Sequence, residues 1–167
     1  MPPAAGSSSS VRSIPEPVIV VEDGLRANAP HLRDLHAAWA RFIIGVKPGN
    51  HGFLFELWRA RDQAGQSQTL TVVDPATGVL HHFRFGNDAP LNESNCDERV
   101  NMLEYWEVHP DRKVQYFSWI TDFVLTPEDV WAIMRGGRDR WKIENETFNT
   151  LKNQGCQPAH GGARRLP

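Results

Sequence analysis

The 167-residue chain is short of the features that mark several large classes of protein. It has two cysteines, Cys96 and Cys156, far apart, with no CxxC spacing and no histidine at zinc-finger distance. That pattern points to neither a disulfide framework nor a structural zinc site. No apolar run reaches the roughly 18 residues of a membrane span, and the Ser/Gly-rich start has no apolar centre of the kind a secretory signal needs. The expectation is a cytoplasmic protein with no membrane partner. Charge of one sign is also missing: the formal net charge is -2, which excludes a strongly basic, free-standing nucleic-acid binder but not a local basic surface. Such a surface is available from Arg135 onward, where seven basic residues face three acidic ones.

What is present reads as α/β. Residues up to about Ile14 carry hardly an apolar side chain and cannot offset their own ordering entropy, so 1–15 is expected to be disordered. Val18 to Val21 form a β-branched run ending at Glu22, Asp23 and Gly24, a buried strand and its turn. Asn28 and Pro30 suit the start of a helix with Leu32, Leu35 and Trp39 as its apolar stripe. Phe42 to Val46 form the next strand, closed by Lys47, Pro48 and Gly49. Strand, helix and strand with short joins predict a βαβ unit with parallel strands. A second helix is expected over about His51 to Arg61, with Phe53, Leu54 and Leu57 inward, completing a 16–66 portion.

The texture then changes to alternation. Thr69 to Val73 and Val79 to Phe85, joined by a turn-rich link, predict one hairpin; Val100 to Val108 and Val114 to Phe123 predict another. Residues 67–124 are thus expected to be an antiparallel β insertion. Thr126 is expected to cap a helix with Pro127 in its first turn, and Gly136 with Gly137 to break it, at about 1 kcal/mol each relative to Ala. Residues 125–155 form this last helical region and 156–167 a tail.

Two places carry chemistry. In RWKIENETFNTLK, helical spacing puts Arg140, Glu144, Phe148 and Leu151 on one side, with Trp141 and Lys152 flanking, so Glu144 sits among large apolar side chains. A carboxylate in that setting needs a cation, either Arg140 or a metal ion. An ordinary i,i+4 pair on an amphipathic helix explains the same spacing. The second place is Asp23, at the carboxyl end of the first strand, where open parallel sheets gather ligand groups; a turn-capping Asp is the alternative. Trp106 and Trp119 lie on the second hairpin, where cross-strand packing is the ordinary role. His81 and His82 alternate faces and cannot both hold one metal ion.

RWKIENETFNTLKNQG resembles the closing catalytic helix of the DDE transposases of prokaryotic insertion sequences, which have an RNase H-like catalytic domain. VIVVEDGLRANAPHLRDLHAAWARFIIGVKPG is similar to the part of those enzymes that carries the second catalytic Asp. The resemblance runs from about Val18 to Gly155 and implies a partial RNase H-like fold, a βαβ unit plus closing helix, interrupted by a strand-rich insertion. It implies Asp23 and Glu144 as catalytic residues and as ligands of Mg2+ or Mn2+, and double-stranded DNA, the transposon ends, as substrate. Arg140 and Lys152 would contact DNA, and Trp106 or Trp119 would stack on an extruded base. One departure is visible: the family's Lys lies seven positions after the Glu, where this chain has Leu151, with Lys152 one later. A second is larger. The family uses Asp, Asp and Glu, yet no Asp precedes Asp23. The chain therefore reads as a C-terminal part of a transposase, inactive alone. The alternative is a non-catalytic fragment that binds DNA or joins a full-length transposase as an inhibitory subunit; the expected protein partners are a second copy, in a homo-oligomer, or that full-length transposase.

Overall fold

A computed structural model describes residues 18–139. The resembling helix segment, with Arg140, Glu144 and Lys152, lies outside the described residues, as do 1–17 and the tail. The fold is mixed α/β: one six-stranded sheet in the order β1-β2-β6-β5-β4-β3, with helices on both faces. The strands are β1 (Ile19–Glu22), β2 (Arg41–Gly45), β3 (Gln68–Val73), β4 (Leu80–Asn92), β5 (Asn95–Val108) and β6 (Val114–Thr121). The helices are α1 (Ala29–Ala37), α2 (Gly52–Gln63) and α3, residues 130–139. None of these helices is long and apolar enough to cross a membrane.

The βαβ unit forms as its sequence predicts. β1 and β2 pair in parallel, Ile19 opposite Arg41 and Glu22 opposite Ile44. The Asn28 side chain accepts from His31 N and Pro30 sits in the first turn, the cap that Asn and Pro favour. Trp39 departs from expectation. The helix ends at Ala37, and Trp39 lies beyond it at φ 56°, 88% exposed, while Leu32 and Leu35 are buried. The main chain has to reverse there to enter β2, and the left-handed residue that makes the reversal points its side chain away from the core. In α2 the inward residues are Leu54, Phe55 and Trp58; Phe53 is exposed and Leu57 only partly buried. Leu54, Phe55 and Trp58, spaced at i, i+1 and i+4, form the stripe that packs on the sheet, one position round from the predicted Phe53 side.

The strands of the 67–124 region extend the same sheet. β6 lies antiparallel to β2, with Ile43 opposite Thr121, so β1 and β2 form one end and β3 to β6 the rest. β4 is far longer than the predicted strand ending at Phe85. It runs on to Asn92 through two irregularities, between Gly86 and Ala89 and between Pro90 and Asn92. Asp88 takes φ 60° and is held by Asn101, whose side chain accepts from Asp88 N, and by Arg99, which donates to its carboxylate. The two irregularities are bulges, which absorb Gly, Asp and Pro within a ladder.

Each face has its own core. Phe42, Ile44, Met102 and Ile120 meet α1 and α2; Ile43, Phe83, Phe85, Leu103, Tyr105 and Trp119 meet Leu125 and the Val130, Ile133 and Met134 side of α3. Residues 127–129 form a turn ahead of α3; Thr126 accepts from Asp129 N and Val130 N through its carbonyl, and its hydroxyl donates to the Asp129 carboxylate. Gly136 and Gly137 do not break α3. A Cβ at Gly137 would lie 2.4 Å from Trp119 Nε1, and one at Gly136 3.1 Å from Ile43 Cδ1. Their lack of side chains lets the helix sit directly on the sheet, a tertiary gain that outweighs their low helix propensity.

Candidate functional site

A cleft of about 740 Å3 opens at the carboxyl ends of the parallel pair. Glu22, Asp23 and Gly24 come from the end of β1, Gly45 to Pro48 from the end of β2, Gln115 to Trp119 from β6, and Gly137 from α3. This is where ligands bind in open sheets with parallel strands, and it exists here because β1 and β2 end together while α3 crosses above Trp119.

Asp23 begins a 3-10 turn, Gly24–Arg26, and its carboxylate accepts from Leu25 N at 3.1 Å. The turn-capping role and the cleft position therefore coexist. Gly24 is required: a Cβ there would lie 2.9 Å from Gly45 O, so the turn packs against the end of β2 only without a side chain. Glu22 also lines the cleft, but its carboxylate meets His31 Nε2 of α1 at 2.5 Å. Of the adjacent acids, Glu22 is engaged by a histidine and Asp23 is aligned by the turn. Lys47, which the sequence reading treated as part of a closing turn, is the one cation among the described lining residues. Its place after a parallel strand is the signal that could have found it.

The two candidate tryptophans differ. Trp119 is 5% exposed, lies under Gly137 and stacks with Phe117 at 5.7 Å, so it packs the core and offers the cleft a wall rather than an open ring face. Trp106 is partly exposed on the opposite face of the sheet. It forms the middle of a cross-strand row: His82 on β4, Trp106 on β5 and Tyr116 on β6 are directly opposite one another. Ring centroids are 5.4 and 5.2 Å apart, and the Arg84 guanidinium lies 5.3 Å from the Trp106 ring. A smaller cavity of about 230 Å3 borders this row, and Pro48 and Tyr116 line both cavities, so the row reaches the mouth of the cleft. Burial, then the neighbouring Glu104 carboxylate, push the Tyr116 phenol up from its ordinary pKa, keeping it a donor to Glu104. His81 and His82 lie apart in function: His81 meets the Tyr105 hydroxyl and His82 meets Thr71.

Carboxylates at a strand end suit hard divalent cations, which take oxygen ligands and keep waters. Among the described residues no group of three or more His, Cys, Asp or Glu side chains converges as a metal cage. Asp23 is the acid that fits the donor chemistry in the cleft, and any further ligand from the 140–155 segment lies outside the described residues. Neither a protein-family model nor a curated protein matches this chain.

Proposed function

We propose that the chain is the part of a DDE transposase that carries the second catalytic Asp, the insertion and the closing helix, and that it acts on double-stranded DNA at transposon ends. The observation that carries the reading is that Asp23 and α3 meet at one cleft: Gly137 lines it, and the same chain continues seven residues later to Glu144. In this reading the sheet is a partial RNase H-like fold, and Asp23 and Glu144 hold Mg2+ or Mn2+. The ions, when bound, supply charge stabilisation at a scissile phosphate. Asp23 keeps its carboxylate aimed by the Leu25 amide, Lys47 offers a cation to a phosphate at the cleft mouth, and Arg140 and Lys152 extend that positive surface. Trp106, flanked by His82 and Tyr116, offers a ring for an extruded base, an interaction worth about 1–3 kcal/mol in single-strand binders.

The sequence holds no Asp before Asp23, so a third acid has to come from elsewhere for strand cleavage, and the stretch by itself binds DNA without cutting it. The exposed aromatic row favours that second, non-catalytic reading as the activity of the isolated chain. The test is a Mn2+ titration of the folded chain followed by calorimetry. Weak saturable binding lost in Asp23→Asn and in Glu144→Gln, but kept in Glu22→Gln, is expected. Tight binding insensitive to both substitutions places the metal elsewhere and overturns the assignment.

A further inference from the structure

We propose that β3 is a self-association edge that pairs antiparallel with β3 of a second copy, centred on Thr71. The proposal is independent of the transposase reading. β3 ends the sheet on one side, and among the described residues no strand pairs its outer edge. Its six residues, Gln68 to Val73, include no charge, no proline and no glycine. Edge strands are ordinarily guarded by lysine, proline, bulges or extreme shortness. β3 has none of these: it pairs with β4 over six consecutive positions without a register shift, and five of its six residues are exposed, Val73 at 55%. The other edge, β1, is four residues long and ends in Glu22.

A second copy is the occupant that the chemistry selects. A two-fold axis perpendicular to the sheet must bring residues of like parity opposite each other, because antiparallel partners share a face. Centred on Thr71, this register sets Thr71 against Thr71, Thr69 against Val73, and Leu70 against Val72. Every pair joins good strand formers, and no charge opposes another of the same sign across the joint. The register also has a consequence on the aromatic face. Thr71 is opposite His82, with Thr71 Oγ1 2.8 Å from His82 Nδ1, and His82 continues into Trp106 and Tyr116. Joining two copies at Thr71 makes one unbroken row from Tyr116 of one protomer to Tyr116 of the next. A joint of one short strand pair falls below the size of stable interfaces, about 1,200–2,000 Å2 in total, so the association is weak and concentration-dependent.

The experiment is sedimentation velocity of the whole chain over a concentration series, with far-UV circular dichroism to confirm that each variant is folded. The unmodified chain is expected to show a monomer–dimer equilibrium. Thr71→Lys and Thr71→Glu, each folded, are expected to lose the dimer, since like charges meet at the axis. An equal mixture of the two is expected to recover it. A wild-type chain that is monomeric throughout, a Thr71→Lys protein that still dimerises, or a mixture that stays monomeric overturns the proposal, and capture of a different protein by a monomeric chain would make that protein the partner instead.

Discussion

Glu104 and Glu107 stand three residues apart on β5, face opposite layers of the sheet, and are both buried, at 3% and 9% exposure. Their partners differ in kind. Glu104 accepts from Trp58 Nε1 of α2 at 2.7 Å, from Arg84 at 2.5–2.6 Å and from the Tyr116 hydroxyl at 2.6 Å, and Arg84 also meets Asp62 at 2.5 Å. Glu107 accepts from the Tyr105 hydroxyl at 2.8 Å, from His109 at 2.8 Å and from Arg138 of α3. Each carboxylate joins a helix to the sheet. Glu104 is enclosed by donors that stay protonated at all ordinary pH values. Glu107 leans on groups at the rim, with Arg138 and His109 side chains 28% and 33% exposed. A buried charge is tolerable only with its hydrogen bonds filled, and the two sites meet that requirement to different depths. α2 is held by a carboxylate with four donor contacts to groups that keep their protons, α3 by a clasp that includes a histidine and an arginine at the rim.

The largest expected effect follows from breaking the network around Glu104. Glu104→Ala leaves Trp58 Nε1 and the Tyr116 hydroxyl without this acceptor and Arg84 with Asp62 as its remaining carboxylate, and removing one member of a buried pair costs about 3–5 kcal/mol. Urea denaturation is the measurement. A loss below about 1 kcal/mol, the size of an exposed pair, would mean that water reaches the site and that the contrast with Glu107 is false.

The second effect tests how α3 lies on its face. Helix propensity alone says that Gly137→Ala stabilises by about 1 kcal/mol. The structure reverses the sign: the new Cβ would meet Trp119 at 2.4–2.9 Å, so the indole has to give up its packing under α3 and its stack on Phe117. Overpacking of this kind costs about 1–3 kcal/mol. Gly136→Ala is the control, since it meets only the far end of Ile43 at 3.1 Å. Equal stabilisation by both substitutions would show that α3 stands off the sheet.

These two glycines also mark where the sequence is readable and where it is not. Asn28, Pro30 and the β-branched runs of β1 and β2 act through their own backbone, so the βαβ unit could be read locally, and with it the position of Asp23 at a strand end. Gly136 and Gly137 act through Trp119 and Ile43, which lie far away in sequence, and propensity therefore suggested a break. The stretch from Gly86 to Arg99 was opaque for the same reason. Asp88 is legible as a bulge only once Asn101 and Arg99 stand beside it, and the tight turn at Glu93 and Ser94 is held by the Asn92 side chain accepting from Asn95 N rather than by glycine. The sequence reading gave Trp106 and Trp119 one role. The partners of each, Arg84 and His82 for one, Gly137 and Phe117 for the other, separate them.

The smallest effect is the one that distinguishes a clasp from a core. Burial pushes the Glu107 carboxyl up, but hydrogen bonds from the Tyr105 hydroxyl, Arg138 and His109 together outweigh it and hold the pKa below its ordinary 4.5. A depressed carboxylate contributes stability above its unfolded pKa, and that contribution fades as pH falls through the lower folded value. Glu107→Gln removes the charge and is expected to cost about 1 kcal/mol at neutral pH, the modest figure that partners open to solvent allow. On acidification the wild-type carboxyl takes up its proton and comes to resemble the amide. The stability gap between wild type and variant should therefore be full above 4.5 and close as the pH falls below it, through the lowered folded value. Denaturation curves at stepped pH, followed by tryptophan fluorescence, give the comparison directly. A gap that holds constant or widens in acid would show that Glu107 contributes through packing alone, and α3 would then owe its place on the sheet to Val130, Ile133 and Met134 rather than to the clasp at its end.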